Sequence, residues 1–228
     1  MAAYATSSTP RRKPFGGLRM EGPVARWYAR NTRGRRDHRE RAEKIAAQLP
    51  PGSAVLEVAP GPGYLAVELA RLGRYHITGL DISRSFVRIA TEHARRAGVA
   101  IDFQHGDVAH MAFAAESFDF IVCVAAFKNF PDPVAALDEI YRVLRPGGHA
   151  SIFDLRKDAP RAAIEQELRG MQLSPLNILL TRWIFRFGLL RAAYTREALE
   201  AVVARSRFGR GEIVQNGIEF ELRLARAQ

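Results

Sequence analysis

The chain has 228 residues, 47% apolar and 25% charged, with one cysteine and a formal net charge of +10. These values exclude a fibrous or low-complexity class, an intramolecular disulfide framework and a cysteine-rich zinc site, and they fit one sizeable α/β domain of a cytoplasmic protein. The charge is uneven: residues 1–44 hold 12 Lys/Arg against 4 Asp/Glu and the remainder 22 against 20, so a basic N-terminal arm carries the excess.

In chain order, residues 1–18 read as a disordered basic tail with no apolar signal-sequence core, and no run of 18 uncharged apolar residues follows anywhere. The tail could attract nucleic acid, anionic lipid or an acidic substrate, or simply aid solubility. Residues 19–50 read as N-terminal helices, "VARWYARNT" and then "RRDHRERAEKIAAQL", where Ala42, Ile45, Ala46 and Leu49 recur on one helix face. From residue 51 onward strands and helices alternate, the pattern of a parallel sheet covered on both sides. Strands are predicted at Ala54–Val58, in "YHITGLDIS", in "AIDFQHGD", in the continuously apolar "FDFIVCVAAF" and in "HASIFDL".

Capping residues punctuate the helices between these strands. Ser83 is placed to cap "RSFVRIATEHARRAG" and Gly98 to stop it; Asp132 and Pro133 open a helix whose buried face is Ala136, Leu137, Ile140, Tyr141 and Leu144. Residues 156–193 interrupt the alternation with a helical insertion, "PRAAIEQELRGM" followed by an apolar stripe from Leu176 through Trp183, Ile184 and Phe187 to Leu190. Thr195 caps a further helix, and two strands around Gln215-Asn216-Gly217 close the chain as a hairpin.

The stretch "VLEVAPGPGYLAVELA" carries the chemistry. A strand runs into a turn with Gly61 and Gly63 and then into a helix, so small residues and a helix N-terminus face whatever sits above the turn. "GPGYLA" matches a dinucleotide fingerprint, and Asp81, 18 positions after Gly63, suits the ribose of either a nicotinamide cofactor or another nucleoside. Discrimination comes from Glu57 before the turn, Gly106-Asp107 after the third strand and "VLRPGG" before the fifth.

Together "VLEVAPGPG", "GLDIS", "HGD", "FDFIVCVAAFKNF" and "EIYRVLRPGG" resemble the class I S-adenosylmethionine-dependent methyltransferases in order and spacing, over roughly residues 50–155. The resemblance implies a doubly wound, Rossmann-like seven-stranded sheet with a terminal antiparallel hairpin, here joined to N-terminal helices and a helical lid, over residues 51–228. It implies that Glu57, Ala59, Gly61 and Gly63 face the methionine half of S-adenosylmethionine. Asp81 would hold the ribose, Ile82 would pack on adenine, Asp107 and Val108 would recognise the adenine amino group and face, and Cys123 and Val124 would lie near the amino-acid portion. Ala59 stands where the family usually has glycine; alanine is small enough to be tolerated but favours ordinary φ values. Each position also has a plainer role: Asp81 and Asp107 as caps, Glu57 as a partner for an arginine of the arm, Cys123 as a small buried residue.

On the acceptor side, "AAFKNFPDP" offers Lys128 and Asn129, neither a conventional base at neutral pH, and Lys128 could stabilise an anionic acceptor. Tyr28, in "RWYARNT", could reach the cofactor carboxylate or the acceptor. The sequence lacks the motifs of amino-methylating nucleic-acid enzymes, of cytosine C5 enzymes and of metal-dependent catechol enzymes, and no metal site is expected. The expectation is therefore metal-independent methyl transfer to a small hydrophobic or aromatic acceptor. Alternatives are an RNA methyltransferase gripping phosphate with its arm, or a non-catalytic S-adenosylmethionine-binding protein. The insertion's apolar stripe is read as an acceptor lid, with a homodimer face and a membrane-surface helix as rivals.

Overall fold

The computed structural model describes residues 20–32, 37–170 and 190–228. Its strands are β1 (Ala54–Val58), β2 (His76–Asp81), β3 (Asp102–His105), β4 (Phe118–Val124), β5 (Leu144–Leu155), β6 (Glu212–Asn216) and β7 (Glu219–Ala225). They form one sheet in the order β3-β2-β1-β4-β5-β7-β6. The first five pair in parallel, and β7 pairs antiparallel with both β5 and β6. The helices used below are α1 (Gly22–Thr32), α2 (Asp37–Ala46), α3 (Tyr64–Arg71), α4 (Arg84–Ala97), α5 (Pro133–Val143), α6 (Arg161–Gly170) and α7 (Arg196–Ala204). This is the doubly wound sheet with a terminal hairpin that the alternation predicts.

Side chains alternate across the central strands as the pleat requires. Val55, Phe120 and Val122 join a core with Ala42, Ile45, Leu65 and Leu69 of α2 and α3. Leu56, Val58, Ile121 and Cys123 join the opposite core with Leu137, Ile140, Leu199 and Val203 of α5 and α7. Burial on both faces explains why β4 reads as an unbroken apolar run.

The predicted caps form. Ser83, Asp132 and Thr195 accept from the N–H groups of Phe86, Ala135 and Ala198, and Gly98 ends α4 with φ 69°. Gly217, with φ 55°, turns the hairpin after Asn216, a conformation glycine adopts without a Cβ penalty. One detail differs: Val143, not Tyr141, completes the buried stripe of α5, while Tyr141 lies half-buried beneath the guanidinium groups of Arg207 and Arg226, 4.6 and 5.1 Å from its ring centre. Leu144 is buried as expected, but as the first residue of β5. The basic tail and the stripe from Leu176 to Phe187 lie outside the described residues, whereas the first helix of the insertion is α6.

The N-terminal helices are tied to the domain by polar contacts. Glu21 accepts from the Arg84 and Ser85 N–H groups, Gly22 N–H donates to Ser85 Oγ at 2.9 Å, and Ser83 Oγ donates to the Met20 carbonyl. The Tyr64 hydroxyl donates to the Ala29 carbonyl at the other end of α1. Further along, Arg41 of α2 lies 4.1 Å from the centre of the Phe153 ring and 3.1 Å from Glu219, which fixes α2 against β5 and β7.

Candidate active site

The sheet order reverses between β1 and β4: β2 and β3 lie outward from β1, and β5 lies outward from β4. The crevice outside the carboxyl ends at such a switch point is where doubly wound sheets form ligand sites. Here both strands end in the same way. Ala59 follows β1 with φ 53° and Ala125 follows β4 with φ 58°, both in the left-handed region. Ala59 N–H donates to the Leu80 carbonyl at 2.8 Å and Ala125 N–H to the Phe153 carbonyl at 2.7 Å, so each turn is held by the neighbouring strand. The expectation of ordinary φ at Ala59 is therefore corrected: alanine occupies the glycine conformation itself, at a cost of about 1–2 kcal/mol.

The β1–α3 turn continues with Gly61 at φ 55° and Gly63 at φ 77°. They do different work. A Cβ on Gly63 would lie 2.9 Å from both Ala90 Cβ and Phe103 Cζ, so the missing side chain lets the turn sit down on α4 and β3. Above Gly61 the space is open, with Phe86 Cε2 the nearest atom at 3.9 Å. Asp81, at the end of β2, spans the turn: its Oδ2 accepts from Gly61 N–H at 2.9 Å and its Oδ1 from Ser83 N–H at 2.8 Å. Burial raises its pKa above the ordinary carboxylate value, opposed by those two hydrogen bonds.

Glu57 points to the same face as Val55, beneath α3. Among the described residues, no arginine pairs with it. Burial pushes its pKa up to about 8, against a lowering hydrogen bond from the Ala66 N–H and with a further rise from Asp81. Among the described residues, its Oε2 is buried without a hydrogen-bond partner. On β3's side, Gly106 N–H donates to the Asp81 carbonyl at 3.0 Å, and Asp107 Oδ1 accepts from Ala109 N–H at 2.9 Å. Val108 packs at the edge of the α5-side core. Cys123 is fully buried, and burial drives its thiol pKa well up, which makes it a packing residue; Val124 is half-buried beside Phe153.

These residues fit S-adenosylmethionine. Glu57 leaves an orphaned buried oxygen below the turn, and each Asp81 oxygen retains a lone pair after its backbone bond. Ile82, next to Asp81, is 54% exposed and with Trp27 is one of the two large apolar side chains exposed among the described residues. An apolar platform beside a ribose-competent carboxylate suits a purine face.

The three acceptor-side candidates do not come together. Tyr28 packs edge-on against Phe86 of α4, with ring centres 5.8 Å apart, and so belongs to the side of the Gly61 turn. Lys128 and Asn129, in a helical turn after β4, line a cavity of 370 Å³ with Phe130, Lys157, Arg191 and Tyr194. Lys128 is not the available cation that the sequence suggested. Its Nζ donates to Asp154 Oδ1 and to the Ala125 carbonyl, both at 2.7 Å, its N–H donates to Asp154 Oδ2 at 2.8 Å, and the two side chains are 6% and 0% exposed. This buried pair clamps the left-handed turn at Ala125.

Asp154, Tyr194, Lys157 and Arg191 were missed. A carboxylate at the end of the apolar "HASIFDL" was the available signal, since a buried charge requires a partner. Among the described residues, no three His, Cys, Asp or Glu side chains cluster as a metal site would need, and no helix is long and apolar enough to cross a membrane.

Residues 56–152 match the family model described as a methyltransferase domain. The chain is 33% identical over 111 residues to a ubiquinone biosynthesis O-methyltransferase of Ralstonia nicotianae, covering 47% of this chain and 45% of that protein. It is 37% identical over 127 residues to the phthiotriol/phenolphthiotriol dimycocerosates methyltransferase of Mycobacterium tuberculosis, covering 55% and 46%. The matched stretch thus spans about half the length of these curated relatives. A Methanococcus maripaludis structure proposed as an S-adenosyl-L-methionine-dependent methyltransferase superposes with a TM-score of 0.72 at 20% identity, covering 97% of this chain and 98% of that one. That likeness shows the fold. Sheet order, turn geometry and family match agree on a class: residues 56–152 carry a methyltransferase domain, in the fold of the S-adenosylmethionine-dependent methyltransferases, and S-adenosylmethionine is the cofactor of that class.

Proposed function

We propose that the chain transfers a methyl group from S-adenosylmethionine to a small hydrophobic or aromatic acceptor, by in-line displacement without a metal. The observation that carries this is the division of the crevice. A backbone-lined turn with Asp81 and Ile82 lies on the β1–β2 side, and a separate cavity walled by Phe130 and Tyr194 lies after β4 and β5. When bound, S-adenosylmethionine supplies a methyl group already activated on a sulfonium, so the protein's task is alignment and exclusion of water.

On this reading Asp81 accepts from the ribose hydroxyls while its two backbone bonds hold it in place. Gly61 leaves room above the turn, and Ile82 covers the purine. Asn129 presents an amide and Tyr194 a hydroxyl to the cavity, where either can orient the acceptor atom. Neither needs to take a proton, because an acceptor with an acidic proton can lose it to water. The names of the two relatives support a small-molecule acceptor. The cytoplasm is the proposed compartment, on cysteine usage.

The test is methyl transfer from radiolabelled S-adenosylmethionine by the purified chain, with EDTA present, across a panel of small aromatic acceptors and an RNA pool. Labelled small product in EDTA supports the reading. Label in RNA alone, with binding that weakens steeply as salt rises, would transfer the assignment to the basic arm.

A further inference from the structure

Resting on that reading, we infer that the acceptor is an organic anion: an aromatic or apolar body bearing a carboxylate-type group that Lys157 and Arg191 receive. Among the described residues, ten line the cavity after β4 and β5, and none of them is acidic. Of its three cations, Lys128 is already neutralised by Asp154. Lys157 and Arg191 are exposed, and neither has an ion pair or side-chain hydrogen bond among the described residues. The other carboxylate of the post-β5 segment, Asp158, is taken by Arg156 at 2.9 Å. The wall therefore presents two uncompensated positive charges.

The rest of the wall selects the body of the ligand. Phe130 meets Phe127 at 5.5 Å between ring centres, and Phe127 meets Tyr194 at 5.6 Å, so an aromatic layer backs the cavity. Burial, with Asp154 nearby, raises the Tyr194 pKa, so its hydroxyl remains a donor at neutral pH. Lys157 is held near that ring by backbone, its N–H donating to the Tyr194 carbonyl at 2.9 Å, and Arg191 lies three positions before Tyr194 in the chain. A flat apolar molecule against Phe130 and Tyr194 would place an anionic substituent toward the rim, where the guanidinium and ammonium groups can donate to it.

The experiment compares two probes of one shape, 2-naphthoate and the neutral 2-naphthamide, by calorimetric titration of the whole chain with and without S-adenosylhomocysteine. The expected result is that naphthoate binds about tenfold more tightly than naphthamide, the scale of one charge-assisted hydrogen bond. In the double variant K157Q/R191Q the two probes bind alike, while affinity for S-adenosylhomocysteine is unchanged. Equal affinities in the native protein, no binding of naphthoate, or a preference that survives the double variant overturns the inference. Failure to bind S-adenosylhomocysteine, with the naphthoate preference intact, would instead remove the methyltransferase reading and leave the anion site standing.

Discussion

On the β1–β2 side of the crevice, the groups proposed to face the cofactor are held by backbone. Asp81 is fixed by the N–H groups of Gly61 and Ser83, and Gly106 by the Asp81 carbonyl. On the β4–β5 side the corresponding turn is held by a side-chain ion pair, Lys128 with Asp154, buried beside the fully enclosed Phe127 ring. Both sides begin from a left-handed alanine. The difference teaches that a fixed ligand can be met by main chain, which any sequence with the right turn provides, whereas the β4–β5 side, where the acceptor is proposed to sit, is built from side chains that can change.

Breaking the ion pair should give the largest effect. Asp154→Ala leaves the Lys128 charge buried without a partner and should destabilise the protein by about 3–5 kcal/mol in urea unfolding, whereas Lys128→Met with Asp154→Leu should recover much of that loss. If the two halves are as separate as their contacts indicate, the double variant keeps its S-adenosylmethionine affinity.

Next comes Glu57, whose folded-state pKa of about 8 exceeds its ordinary value of 4.5. Between those values the unfolded chain is ionised at this position and the folded chain is not, so stability falls as pH rises and levels off above about 8. For the cofactor-free protein this one group should cost about 3 kcal/mol between pH 5 and pH 7, and Glu57→Gln should flatten that slope in denaturant titrations at each pH.

Asp81→Asn is a milder break. An amide can accept at one position only and turns an N–H toward either Gly61 or Ser83, so cofactor affinity should fall by about 1.5–3 kcal/mol in calorimetry, with naphthoate binding unaltered. The smallest effect is at Ala59, where Ala59→Gly relieves the left-handed strain and should raise stability by up to about 1 kcal/mol on thermal unfolding. Ala59→Val, β-branched at φ 53°, should move the other way and weaken cofactor binding.

The same contrast explains what the sequence revealed. The turn, Asp81, Ser83, Gly98, Asp132 and the Asn216-Gly217 hairpin were legible because their partners lie close along the chain or follow from capping and turn chemistry. Lys128 and Asp154 stand 26 residues apart and meet only because Val124 registers with Phe153 across β4 and β5. Tyr194 and Lys157 are joined by the Arg156 bridge, which no local pattern encodes. The φ of Ala59 was hidden for a different reason: the hydrogen bond from its N–H to the Leu80 carbonyl holds it there, and the residue's own preference opposes it.

The most direct measurement is calorimetric titration of the chain with S-adenosylmethionine, S-adenosylhomocysteine and NADH. The account predicts saturable one-site binding of the first two, weakened by Asp81→Asn, and none of NADH. Preferential binding of NADH would contradict it.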